Sequence, residues 1–209
     1  MPVPHMDRLP PRLPPAGEGQ RIGLFGGSFN PPHDGHRHVT LMALRRLQLD
    51  AVWWLVTPGN PLKAGREIDP LCERMQAASA CAAHPRIAVS DVEAQAGLRY
   101  TIDTLHYLKQ RRPDLAFVWI MGADGLTHFH RWRDWHAIAR AMPICVVDRP
   151  GHSRAATASI AGQVLARYRL PEEAAPRLAA TPPPSWLFLH GPRLPISSTQ
   201  IRARRDADG

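Results

Sequence analysis

The stretch between Arg21 and Leu47 constrains this chain more than any other. A short, largely apolar run at residues 21–25 closes on Gly26-Gly27. Residues 35–47 then reopen with helical spacing, which puts Val39, Met42, Ala43 and Leu47 on one face. A buried strand that turns directly into a helix is the first half of a strand–helix–strand unit, and the same alternation continues down the chain. Further strands are predicted at 51–57, 86–90, 115–121, 144–148 and 186–190. Helices are predicted near 70–83, with Pro70 in the first turn, at 101–111 and at 155–168. Short helical pieces carry Trp132, Trp135 and His136. Residues 170–184, with five prolines, read as an irregular loop, and a short helix follows at 198–204. The expected fold class is α/β, a single domain with a doubly wound, mostly parallel sheet spanning residues 21–205. The proline-rich residues 1–20 read as a disordered extension and 206–209 as a tail. Sheets of this kind bind ligands beyond the carboxyl ends of the strands, where the strand order reverses. The turn after the first strand is therefore the first place to look.

That turn reads Gly26-Gly27-Ser28-Phe29-Asn30-Pro31-Pro32-His33-Asp34-Gly35-His36. Its glycines permit close backbone approach to a ligand. The helix that follows offers N–H groups and the positive end of its dipole to phosphate. His33 and His36 stand three residues apart and can face the same way there, as donors to the α- and β-phosphates of a nucleoside triphosphate. The turn is neither a Walker A loop nor a dinucleotide fingerprint. A histidine metal site lacks a third ligand at a telling spacing, so no protein-held metal is expected. Near the other end stands Ile196-Ser197-Ser198-Thr199-Gln200-Ile201-Arg202. Taken alone it is explained by capping of a C-terminal helix. Taken with the first motif it repeats the phosphate-binding logic, with Arg202 suited to the β- and γ-phosphates.

Charge fits that picture. The net charge is +8, yet Lys63 and Lys109 are the only lysines and the arginines are scattered in short pairs. An arginine-rich background with a phosphate site explains this better than a nucleic-acid-binding face, so no nucleic-acid partner is expected. Cys72, Cys81 and Cys145 show neither disulfide nor metal spacing, which suits a reducing cytoplasm. No run approaches the roughly 20 apolar residues of a membrane span, so no membrane partner is expected. A homo-oligomer remains open.

Together the motifs resemble the nucleotidyltransferase superfamily marked by His-x-Gly-His and Ile-Ser-Ser-Thr-x-x-Arg. Within it, residues 22–204 look like bacterial nicotinate-nucleotide adenylyltransferase. Asn60-Pro61-Leu62-Lys63, Tyr100-Thr101-Ile102-Asp103-Thr104-Leu105, Gly122-Ala123-Asp124, Phe129 to Trp135 and Asp148-Arg149-Pro150 carry the likeness. Gly125 departs from it, standing where a polar residue is usual. The resemblance implies a Rossmann-like nucleotidyltransferase fold and adenylyl transfer from ATP, accompanied by Mg²⁺, to nicotinate mononucleotide in NAD biosynthesis. It implies His33, His36 and Arg202 as catalytic candidates. ATP would meet Gly26, Gly27, Ser28, Phe29, Gly35, Gly122, Asp124, Ile196, Ser198 and Thr199. The acceptor would meet Lys63, Tyr100, Thr101, Trp132 and Arg149. Alternatives are the same chemistry on nicotinamide mononucleotide or phosphopantetheine, and, further off, a non-catalytic nucleotide- or nucleic-acid-binding protein.

Overall fold

The apolar runs become six strands in a computed structural model that describes residues 10–59, 68–148, 153–191, 198–199 and 201–202. They are β1 (Arg21–Gly27), β2 (Ala51–Val56), β3 (Ile87–Ser90), β4 (Ala116–Gly122), β5 (Ile144–Val147) and β6 (Trp186–Leu189). All pairings among them are parallel, in the order β3-β2-β1-β4-β5-β6. The chain winds outward from β1 to one edge, then returns to β4 and winds to the other. The reversal therefore falls between the carboxyl ends of β1 and β4.

Helices cover both faces, which is why the strands read as continuous apolar runs rather than alternating ones. The adjacent Trp53 and Trp54 show the consequence: both are fully buried, on opposite sides of the sheet. One layer holds α1 (Asp34–Arg46) and α2 (Leu71–Ala82), whose Val39, Ala43, Leu44 and Ala78 meet Trp54 and Ile120. The other holds α3 (Val92–Gln95), α4 (Thr101–Arg111), α5 (Ala123–His128) and α6 (Trp135–Ala141). There Leu105, Leu108 and Ile138 meet Trp53 and Trp119.

Several sequence expectations need amending. Residues 10–20 form no regular element, but they are not loose. Leu13 and Ala16 pack on the core, Arg12 N donates to Gln95 Oε1 at 2.8 Å, and Arg112 Nη2 donates to Ala16 O at 3.0 Å. Prolines leave this segment without a ladder of its own, and partners on α3 and just after α4 satisfy its backbone instead. Pro70 is the N-cap of α2 rather than a first-turn residue. The helix expected at 155–168 is split into α7 (Ser153–Thr157), α8 (Ile160–Val164) and a 3₁₀ turn, Ala166–Tyr168. Ser159 makes the break by accepting from Gly162 N at 3.1 Å and donating to Ala156 O at 2.7 Å. The proline-rich stretch after Leu170 contains a 3₁₀ run, Glu172–Ala180, whose three-residue repeat buries Ala175 and Leu178 together. Among the described residues no helix is long and apolar enough to cross a membrane.

Candidate active site

At the reversal point Gly26 lies against Trp119 of β4. A Cβ on Gly26 would come within 2.6 Å of the indole Cη2, so only glycine lets that ring pack beneath the turn. From here a cleft of about 380 Å³ opens across the carboxyl ends of β1, β2 and β3. On one side it is bordered by Gly26, Gly27 and Ser28, and on the other by Tyr100, Thr101 and Trp132. Six of the expected site residues are thus brought to one cavity. Gly122, the N-cap of α5, ends β4 directly beside β1, with Asp124 in the first turn behind it.

The helix start after β1 departs from the sequence expectation. Free amides were expected there, but three of them are already engaged. His33 N donates to His36 Nδ1 at 3.2 Å, Gly35 N donates to His33 Nδ1 at 3.1 Å, and His36 N donates to His33 O at 2.8 Å. The two imidazoles form a reciprocal capping box on α1, their centroids 3.8 Å apart. A backbone N–H can only donate, so both Nδ1 atoms are acceptors, and each neutral ring carries its proton on Nε2. The box takes up the backbone donors of the helix start. Gly35, expected at ATP, is buried with its amide spent in this cap. Phe29, also expected there, turns its ring into the core, stacked on Trp54 at 4.7 Å and 12°. Its φ of 46° is unusual for a side chain of this size and leaves only its backbone to face a ligand.

The second motif docks on the first. Ser198 Oγ donates to Pro31 O at 2.8 Å, Arg202 Nη1 donates to Asn30 O, and Arg202 Nη2 donates to Thr199 Oγ1 at 3.3 Å. Lys63, Arg149 and Ile196 lie outside the described residues.

The side of the cleft where the acceptor is expected has a different polarity. No side chain caps α4, and Thr101 at its start borders the cleft. Exposed Arg99, Arg131 and Arg133 surround the mouth, with the Arg133 guanidinium 4.4 Å from the Tyr100 ring centre. Sequence reading passed over these arginines, although the Arg-Trp-Arg tripeptide around Trp132 was the visible signal. It also passed over Arg74 and Glu93. Arg74, buried on α2, donates to backbone carbonyls of Ser28, Thr57, Pro58 and Asp69. Glu93 lines the cleft from α3 and accepts from Thr104 Oγ1 at 3.0 Å. Burial pushes its carboxyl above the ordinary glutamate range, against the hydrogen bonds from Thr104 and Thr57. At Gly125 a Cβ would stand 3.2 Å from Met121 Cβ, a tight contact that a small shift would relieve.

The raised Glu93 pKa has a sign that can be tested. Folding favours the neutral acid, so this contribution is complete below the unfolded value of about 4.3 and is lost as pH rises through the folded value. Glu93→Gln keeps an oxygen for Thr104 but carries no charge. Its melting temperature should exceed the parent's near pH 8, and the gap should close near pH 4. Thermal unfolding at both pH values checks this, and a gap independent of pH would contradict it.

Known proteins resemble this chain in sequence and in fold. The cytidylyltransferase-like family matches residues 24–204. A "Probable nicotinate-nucleotide adenylyltransferase" of Methylorubrum extorquens is 57% identical over 184 residues, covering 88% of this chain and 100% of its own. One from Brucella abortus is 51% identical over 181 residues, covering 87% and 93%. Among solved structures, Plasmodium falciparum nicotinic acid mononucleotide adenylyltransferase complexed with NaAD superposes with a TM-score of 0.66, covering 88% of this chain and 83% of its own. At 16% identity that likeness concerns the fold.

Proposed function

From the premise that the chain belongs to the nicotinate-nucleotide adenylyltransferase family, we propose that it moves the adenylyl group of ATP onto nicotinate mononucleotide, giving nicotinate adenine dinucleotide and pyrophosphate. The observation that carries the reading is the docking of Ser198 and Arg202 onto Pro31 and Asn30, which joins two distant phosphate-type motifs at the turn after β1.

The acceptor's 5′-phosphate attacks the α-phosphorus in line, and the bond to the bridging oxygen of pyrophosphate breaks. The nucleophile is already ionised, so no side chain has to remove a proton. Catalysis is then positioning and stabilisation of charge on the equatorial and leaving oxygens. We assign His36 Nε2–H to the α-phosphate and His33 Nε2–H to the neighbouring phosphate. Ser198, Thr199 and Arg202 hold the departing pyrophosphate. Gly26, Gly27 and Ser28 let the triphosphate lie against the backbone, and Gly122 and Asp124 face the nucleoside. Mg²⁺ enters as part of the substrate, held by phosphate oxygens and water.

The nicotinate ring is assigned to Trp132, and its carboxylate to the first amides of α4 near Tyr100 and Thr101. Two features favour the acid acceptor over the amide. The mouth is lined by Arg99, Arg131 and Arg133, and burial favours the neutral form of the one carboxyl group in the lining. Lys63 and Arg149 are assigned to the acceptor from the sequence motif alone. The unpaired cysteines support a cytoplasmic setting.

The test is pyrophosphate release from ATP and Mg²⁺ with nicotinate mononucleotide, nicotinamide mononucleotide and phosphopantetheine offered separately. Strong preference for the nicotinate form is expected. Preference for either other acceptor would keep the chemistry and overturn the pocket around Thr101 and Trp132. No release from folded protein that binds ATP would overturn the reaction.

A further inference from the structure

Arg74 has no part in the reaction as written, yet it is among the most fully engaged side chains in the molecule. It is 2% exposed. Its Nε donates to Asp69 O at 2.8 Å, its Nη1 to Ser28 O and Thr57 O at 2.8 Å each, and its Nη2 to Pro58 O at 3.3 Å. Each of these acceptors is a backbone carbonyl. Among the described residues no carboxylate forms an ion pair with it, and the Asp69 carboxylate acts on it only through its field. A buried charge without a bonded carboxylate is costly, and an apolar side chain could fill the same space more cheaply. Packing alone therefore does not account for an arginine here.

The carbonyls identify what it holds. Ser28 follows β1 on the triphosphate side of the cleft. Thr57 and Pro58 follow β2 and lead into Gly59, which borders the same cleft. Asp69 introduces α2. The C=O and N–H of one trans peptide unit point in opposite directions. Turning the Ser28 and Pro58 carbonyls toward Arg74 therefore turns the amides of Phe29 and Gly59 away from it. A planar guanidinium, with donors at fixed angles, can set several carbonyls at once, whereas an ammonium is a single point.

We propose that Arg74 is a positioning residue for adenylyl transfer. It ties the ATP-side loop after β1 to the acceptor-side loop after β2, and it aims the Phe29 and Gly59 amides at the substrates. The proposal rests on the adenylyl-transfer reading of the cleft.

The experiment has two arms. In the first, Arg74→Lys and Arg74→Met are compared with the parent for kcat, for both KM values, for ATP binding without acceptor, and for thermal unfolding. The expected result for Arg74→Lys is a folded protein that binds ATP alone within about threefold of the parent but turns over at least about tenfold more slowly, the pattern of misregistered substrates. Arg74→Met is expected to be slower still. In the second arm, native-state hydrogen exchange on the parent follows residues 26–30 and 55–59. The two segments are expected to open with the same free energy, and both should gain protection when ATP is added. Parental turnover in Arg74→Lys, or independent opening of the two loops, would overturn the proposal. Should neither variant fold, the exchange arm decides alone. A parent that forms no nicotinate adenine dinucleotide would refute the reaction, while the exchange result would still judge the link between the loops.

Discussion

His36→Ala is expected to lower turnover by roughly 100-fold or more while unfolding stays cooperative, the scale for losing one donor to a developing oxyanion. The ring has one observed contact and one proposed role, and the magnitudes separate them. Its Nδ1 takes the His33 amide, and loss of such a cap costs about 1 kcal/mol of stability. Its Nε2–H is the assigned donor to the α-phosphate, where the loss is about 3–4 kcal/mol of activation free energy. The rate should therefore collapse while the domain survives. His36→Asn sharpens the test, because its amide oxygen can still accept from the His33 amide but its shorter stem cannot reach where Nε2 reached. Parental thermal stability with a rate as low as that of alanine is the expected pattern. Near-parental turnover in either folded variant would remove His36 from its assigned role.

The same histidines show what could and could not be read from residue order. Their pairing at a helix start was legible, because a glycine turn after a buried run and a three-residue spacing are local patterns. That they would consume the terminal amides was not, since capping geometry depends on where two rings come to rest. Helix α4 was legible to the residue, for a strong amphipathic repeat begins at Thr101 and a proline follows its end. The break at Ser159 was not, because good helix formers stand on both sides and the interruption is set by contact. A Cβ at Gly162 would meet Ala156 O at 2.5 Å. Arg74 is the extreme case. It is one arginine in an arginine-rich chain, on an ordinary helix face, and nothing local announces that the loops of two other strands will close over it. Arg99, Arg131 and Arg133 were hidden differently, since exposed arginines gain meaning only when the fold gathers them at one mouth.

Arg202 should give the second large effect. Arg202→Ala is expected to lower kcat/KM for ATP by roughly 10- to 100-fold, the equivalent of about 1.5–3 kcal/mol for hydrogen bonds to a charged group. The guanidinium spends one donor on Asn30 O and one on Thr199 Oγ1, and the fork has five. Those that remain can meet two oxygens of a departing pyrophosphate without releasing the loop. Arg202→Lys can do one or the other, so it should recover little of the loss despite keeping the charge. The assignment makes a further demand: pyrophosphate inhibition should weaken by about the same factor as ATP use, while the KM for the acceptor stays near the parent's. Initial rates with either substrate varied, together with pyrophosphate inhibition, measure all three quantities. Loss confined to the acceptor's KM would mean that the arginine serves the other end of the cleft. Equal loss for ATP and pyrophosphate would tie Arg202 to the leaving group, and with it the closing of the C-terminal motif over the turn that begins the fold.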